Sequence, residues 1–392
     1  MEQKKRILIV NNNMHIGGVQ KALVNLLKEI ASVYDVTLLL FYPEGPLLRD
    51  IPSNVRVLRA SPAFRTWGMT RADAAGSPAF VSRAFFALIT RLFGRKMAIA
   101  VQRPFQRKLC GYDVAISFLH SGDDHVYYGG CNEFVLQRVD AKRKISFLHC
   151  DYGMIRGDSP YNTKIYEKFD KIAACSEGCR QAFLSALPHL SDKTVVVHNC
   201  QDYENVLLKS SEPKVRLPKD KMNVLTVARF GKEKGVLRGI QAFADLGSSK
   251  EKAQYYIIGY GSEYAKASDM IAELGLEATV HLLGEMENPY PYIKAADILL
   301  IPSVSEAAPM VIGEAACLGT PILTTKTSSA KEMVANTGYG WVCENSQMGI
   351  KDGLMHLIEK TDIWKDRSTA LSDMVFSNEQ AAADFFRLIE DL

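Results

Sequence analysis

No uninterrupted apolar stretch in this chain approaches the ~20 residues that a membrane-spanning helix needs, which sets aside an integral membrane protein. The opening Lys4-Lys5-Arg6 and Ile7–Val10 imitate a secretory leader, but the apolar run stops at Asn11. Four residues make a buried strand and not the core of a leader, so a soluble, cytoplasmic protein is expected. None of the eight cysteines, at 110, 131, 150, 175, 179, 200, 317 and 343, belongs to a C-x-x-C, and none joins histidines at zinc spacing. They read as reduced thiols of a cytosolic protein. Repeats and low-complexity tracts are missing too. Acid is nearly missing from one region: residues 51–112 hold eleven Lys and Arg against the single Asp73, a charge of +10 within a chain of net +3. Such a block points to one anionic partner surface and away from a general polycation.

What is present is the material for two α/β domains. At 392 residues the chain is too long for a single core, and 47% apolar with 23% charged residues is ordinary for a folded protein. Short apolar runs alternate with helical patterns, the mark of parallel sheets covered on both faces. The runs are Ile7–Val10, Val36–Phe41, Val55–Leu58, Val114–Phe118, Ile145–Leu148, Ile172–Cys175 and Val195–Val197, then Val224–Ala228, Tyr255–Gly259, Val280–Leu283, Ile298–Ile301 and Pro321–Thr325. Between the two sets, Gln201–Lys221 is polar, carries Pro213 and Pro218, and reads as a linker. The expectation is a first domain over 1–200, a second over 222–375, and a helix over 376–392 that caps the second domain or crosses back to the first. Facing doubly wound domains would bind ligand in the cleft between them, at the carboxyl ends of the strands.

Four kinds of segment carry chemistry. In Ser303-Val-Ser-Glu306-Ala-Ala-Pro309-Met-Val-Ile-Gly-Glu314, closing at Gly319-Thr-Pro321, Pro309 suits the first helical position and Gly319 the residue after the helix. Free amides near Met310 and Val311 suit a phosphate or a polar sugar edge, and the carboxylates of Glu306 and Glu314 suit hydroxyl groups. Arg229-Phe-Gly-Lys-Glu-Lys234-Gly235 follows a strand; a forked donor and a point charge together match a diphosphate. Two strand-to-helix loops, His15-Ile-Gly17-Gly18 and Gly259-Tyr-Gly261, let backbone approach a ligand, though neither is G-x-G-x-x-G. Finally, Phe147-Leu-His149 and Phe118-Leu-His120 place a histidine after each of two buried strands, and the residues alone do not rank them. Ordinary capped helices, solvated basic turns and satisfied structural histidines are the competing readings.

Taken in order, these segments resemble a family 4 retaining glycosyltransferase of GT-B architecture, bacterial surface-polysaccharide type. The resemblance also rests on Ser176-Glu177, Val197-His-Asn199, Leu283-Gly284-Glu285, Ala296-Asp297 and Pro302-Ser303. It implies an α/β fold of two Rossmann-like domains facing across a cleft and a hexosyltransferase activity. Arg229 and Lys234 would hold the donor diphosphate, Glu314 the ribose, and Glu306 with the amides of Ala308, Met310 and Val311 and the backbone at Pro309 the sugar. Glu285 and Met286 would meet the nucleobase, Gly259 and Gly261 the donor, and Gly18 the diphosphate from the first domain. His149, and not His120, matches the histidine beside the reacting carbon. Catalysis would then fall to His149, Arg229, Lys234 and Glu306. D-x-D, common in metal-dependent transferases, is missing, so no metal or other cofactor is expected and the donor is the nucleotide sugar. Retention by front-face displacement is likewise what the resemblance implies.

Between Phe80 and Phe93 apolar pairs recur every four residues beside Arg83, Arg91, Arg95 and Lys96. That composition suits a helix lying on anionic lipid, peripheral to the inner face of the membrane, and favours a glycan or lipid-linked acceptor. A helix packed on the sheet with a solvated basic face is the other reading. Nucleic acid is not expected, because no recognition module accompanies the charge. A nucleotide-sugar epimerase, a sugar phosphorylase, or a non-catalytic partner of a transferase remain the alternatives.

Overall fold

The computed structural model describes residues 4–390 of the chain. They form two compact units, one taking the chain up to Cys200 and again from Asn378, the other spanning Gln201–Ser377.

In the first unit seven strands follow the apolar runs: β1 (Arg6–Asn11), β2 (Asp35–Leu40), β3 (Arg56–Arg59), β4 (Leu109–Ser117), β5 (Val139–Leu148), β6 (Lys171–Ala174) and β7 (Thr194–Val196). All pair in parallel in the order β3-β2-β1-β4-β5-β6-β7. Ile7–Val10 have no exposed surface because helices cover both faces of this central strand. The helix Gly18–Ile30 buries Leu23, Leu26, Leu27 and Ile30, one stripe at helical spacing.

The second unit has six parallel strands: β8 (Met222–Val227), β9 (Ala253–Ile258), β10 (Val280–Gly284), β11 (Ile298–Ile301), β12 (Ile322–Thr325) and β13 (Gly340–Cys343), ordered β10-β9-β8-β11-β12-β13. The edge strand β13 is absent from the apolar runs of the sequence. Only Trp341-Val-Cys343 marks it, and Gly340 lets its backbone lie against Ile322, where a side chain would collide. Within the stretch expected to be a linker, Tyr203–Lys209 forms a helix whose Val206 enters the second unit's core.

Two features mark the first unit. The helix Glu379–Glu390 packs Phe385 against Tyr34 and Phe147 and buries Leu388 and Ile389. Asp384 accepts from His198 Nδ1 at 2.6 Å, and Asn378 donates to Glu29 at 2.6 Å. The segment Pro78–Gln102 is two helices broken at Gly94, whose φ of 77° and ψ of 163° are non-helical. At the break, the Arg95 N–H turns to the Asp124 carbonyl at 2.6 Å.

Candidate active site

Strand order in the second unit reverses between β8 and β11, the point where ligands of such sheets bind, beyond the carboxyl ends. Arg229 follows the end of β8 and Ser303 the end of β11. After β8 the chain makes a tight turn over Lys232–Lys234 that ends on Gly235 at φ 63°, a left-handed position that favours glycine. A side chain at Gly235 would also strike the Pro302 carbonyl, so this loop and the one after β11 are held close.

Lys234 reaches across the switch point. Its Nζ donates to Glu306 Oε1 at 2.7 Å and Oε2 at 2.9 Å, and Ser303 Oγ donates to Oε1 at 2.7 Å. Ser328 fixes the Glu306 backbone by donating to its carbonyl at 2.7 Å. Arg229 donates to Glu233 Oε1 at 2.7 Å, with its side chain 74% exposed. Partial burial would raise the Glu233 carboxyl, but its own N–H and the Arg229 guanidinium hold it below its ordinary value. Both cations thus face a carboxylate and have donors to spare for an anion.

The helix Met310–Cys317 begins one residue later than expected, with Pro309 as its non-helical cap. Met310 is buried, Ala308, Pro309 and Val311 are half-buried, and Gly319 ends the turn at φ 77°. Glu314 is buried in that helix, with the Tyr290 hydroxyl 3.5 Å from Oε1. Gly259 and Gly261, at φ 139° and 157°, shape a loop that bonds to the one after β8. Phe230 N–H donates to the Tyr260 carbonyl and Glu263 N–H to the Phe230 carbonyl, both at 3.0 Å. Side chains at either glycine would meet the Ala228–Phe230 backbone, so these glycines lock the two loops together. Glu285 is exposed after β10, and Met286 is half-buried against the core. An open pocket beside Arg229 is lined by Phe230, Gly231, Lys232, Glu233 and Ser262.

In the first unit, Gly18 is exposed at the start of its helix, and Gly17 before it is extended at φ −172°, a conformation any residue adopts. His149 follows β5 with its ring 4.6 Å from that of Phe118, and burial, aided by the nearby His120, pulls its pKa down to about 3. His120, after β4, is drawn down to about 4 by burial and by Arg95. Each is a neutral imidazole with one buried ring nitrogen, Nε2 of His149 and Nδ1 of His120, that makes no hydrogen bond among the described residues. A neutral imidazole fits a hydroxyl group and cannot supply charge to a diphosphate.

The basic block needs one correction. Arg95, expected on the surface, is wholly buried, its Nε 2.6 Å from the equally buried Glu133 and its Nη2 2.6 Å from Asn162. The Gly94 break turns it inward. Arg83 is half-buried, donating to the Met69 carbonyl at 3.0 Å; Arg91 and Lys96 are exposed. Along the preceding helix Phe80, Val81, Phe85, Leu88, Leu92 and Phe93 each leave more than half their surface exposed.

Sequence reasoning missed the Arg238 brace. Its Nε donates to the Pro302 carbonyl at 2.7 Å and its Nη2 to the Ser303 carbonyl at 2.6 Å, fixing the loop that carries Glu306. Only its place one turn beyond Lys234 hinted at this.

Residues 209–370 match the family model "Glycosyl transferases group 1". The chain is 30% identical over 203 residues to the Campylobacter jejuni N-acetylgalactosamine-N,N'-diacetylbacillosaminyl-diphospho-undecaprenol 4-alpha-N-acetylgalactosaminyltransferase, covering 51% of this chain and 54% of that one. It is 32% identical over 129 residues to the amylovoran biosynthesis glycosyltransferase AmsK of Erwinia amylovora, covering 31% and 32%. The aligned stretches thus span about a third to a half of the relatives' length. Among solved structures, Anabaena HepE in complex with UDP and glucose aligns over 100% of both chains at 18% identity with a TM-score of 0.68. Residues 209–370 are thus similar to the glycosyl transferases group 1 family, within a chain whose two Rossmann-like units have the GT-B fold.

Proposed function

We propose that the chain is a retaining, metal-independent hexosyltransferase that moves a sugar from a nucleoside-diphosphate sugar to a glycan or lipid-linked acceptor in bacterial polysaccharide synthesis. One observation carries this reading: Lys234, Glu306 and Ser303 meet across the second unit's switch point, beside Arg229. A donor diphosphate would draw Lys234 and Arg229 from their carboxylate partners, leaving Glu306 to accept from sugar hydroxyls. Glu314 would take the ribose, Glu285 and Met286 the base, and neutral His149 a sugar hydroxyl. In the transfer the anomeric carbon–phosphate oxygen bond breaks while a bond to the acceptor oxygen forms on the same face. The acceptor proton passes to the departing phosphate oxygen, and Arg229 and Lys234 stabilise its charge. The names of the Campylobacter relative and of the HepE complex support a lipid-diphosphate acceptor and a uridine donor respectively.

The exposed apolar face over residues 80–93, flanked by Arg91 and Lys96, supports docking on an anionic membrane. No helix among the described residues is long and apolar enough to cross a membrane. The reading is tested by thermal melting with a panel of nucleoside diphosphates and nucleotide sugars in excess chelator. One diphosphate should raise the melting temperature, and Arg229→Ala should abolish the rise. Stabilisation that requires added Mg²⁺ would overturn the metal-independent part, and no stabilisation by any member would overturn the donor site.

A further inference from the structure

The loop over residues 302–306 presents Glu306, and side chains from other segments hold its carbonyls. Arg238, in the first turn of the helix Val236–Ala244, takes those of Pro302 and Ser303 as described. Thr325 Oγ1, at the end of β12, also donates to Ser303 at 2.5 Å, and Ser328 holds the Glu306 carbonyl. Asn345 takes the carbonyl between them. Its Nδ2 donates to Val304 at 2.9 Å and to the Lys326 carbonyl at 3.2 Å, while its Oδ1 accepts from Arg238 Nη2 at 2.7 Å. Asn345 follows β13, the edge strand, and is exposed. One amide thus ties the loops after β11, β12 and β13 to one guanidinium. Its orientation is fixed by its partners, since the reverse would set NH2 against guanidinium and oxygen against two carbonyls. Arg238 meets only neutral oxygens, including Thr325 Oγ1 at 3.4 Å, and its planar fork serves them together.

Glu306 is therefore held from two directions, by Lys234 at its carboxylate and by this clasp at its backbone. A donor diphosphate, in the transfer proposed above, draws Lys234 away just when Glu306 has to face the sugar. What remains is Ser303 Oγ at 2.7 Å and the fixed backbone. The Val304 N–H adds a bond to the Glu233 carbonyl at 2.8 Å, so the clasp also steadies the loop of Arg229. Alignment matters here because a hydrogen bond weakens steeply as its angle closes.

We infer that Asn345, acting through Arg238 and the Val304 carbonyl, is a positioning residue for Glu306, and that its hold persists when Lys234 leaves. The role rests on the donor reading; the hold does not. Asn345 bonds to neither Lys234 nor the Glu306 carboxylate, so it steers the sugar contact without sharing the diphosphate contact.

Hydrogen exchange of the full chain tests the hold without nucleotide. Asn345→Ala should speed exchange of the Val304 amide roughly tenfold, the scale of one fixed hydrogen bond. It should do so by the same factor in Lys234→Ala, which imitates the withdrawn ammonium. Melting temperatures of the Asn345 variants should stay near that of the wild type, because the residue is exposed. Calorimetry then compares UDP with UDP-glucose, GDP with GDP-mannose and ADP with ADP-glucose. For the pair that binds, Asn345→Ala should leave diphosphate affinity unchanged and lower the affinity and slow hydrolysis of the sugar nucleotide roughly tenfold. Asn345→Asp keeps the acceptor for Arg238 but turns an oxygen on the Val304 carbonyl, so it should do as much harm. Unaltered exchange, an exchange effect that vanishes in Lys234→Ala, equal losses for diphosphate and sugar nucleotide, or full activity in Asn345→Asp would each overturn the assignment. Binding of none of the pairs to the wild type would overturn the donor reading and the role of Asn345 with it, while the exchange result still reports the hold.

Discussion

Lys234 and Glu306, 72 residues apart, close an ion pair of 2.7 and 2.9 Å in which the side chains are 25% and 10% exposed. Each therefore sets the other's availability. Glu306→Gln keeps an oxygen for Ser303 and frees the ammonium, so nucleoside-diphosphate affinity should stay level or rise while transfer falls. Lys234→Ala should lose both, with the barrier to transfer raised by about 2.7–4 kcal/mol, the scale of one preorganised charge-stabilising donor. Calorimetric titration beside turnover distinguishes them; weaker diphosphate binding in Glu306→Gln would contradict the pairing.

Arg229 and Glu233 form the looser counterpart. With Arg229 74% exposed, their contact contributes at most about 1 kcal/mol. Glu233→Gln should tighten diphosphate binding by less than about tenfold, with the gain shrinking in salt. A large, salt-independent change would mean that Glu233 holds the loop itself.

The parallel sheets and the switch-point loops are legible because each has a local signal: short apolar runs, and a glycine after Lys234. The pairing of Lys234 with Glu306 and of Arg229 with Glu233 is not, because the sequence suits these cations to an anion and says nothing of the carboxylates they meet. Strand β13 is not, because its burial comes from contact with Ile322 rather than from a long apolar run. Arg95 misleads for a related reason. Helical spacing puts it beside Arg91, but Gly94 breaks the helix and the buried Glu133 is 38 residues away.

His120 and His149 make the first unit acid-sensitive. Both are neutral when folded, with pKa values of about 4 and about 3, whereas each takes a proton near 6.5 when unfolded. Their penalty is absent above pH ~6.5 and grows as pH falls toward 4, by up to about 1.4 kcal/mol per pH unit for each histidine. Urea midpoints of His149→Gln and His120→Asn at pH 7 and pH 5 should differ less than those of the wild type. An unchanged difference would place a proton on these rings in the folded state.

Arg95→Ala should destabilise the first unit by about 3–5 kcal/mol by leaving Glu133 buried without its partner. Arg91→Glu and Lys96→Glu should change stability by no more than about 0.5 kcal/mol and reduce co-sedimentation with vesicles containing phosphatidylglycerol. Equal binding by the wild type and the double variant at low salt would end the membrane reading.

The helix Glu379–Glu390 belongs to the unit that begins the chain, so the second unit is an insertion bounded by two covalent crossings. On the ribosome, therefore, the first sheet is made early but waits for Phe385, Leu388 and Ile389. Until they emerge, the faces of Tyr34 and Phe147 that will receive Phe385 stand open. The second unit, contiguous in sequence, can close its own core first. Order of synthesis and order of completion are reversed, and a nascent chain stalled before residue 379 would hold a finished second unit beside an unfinished first.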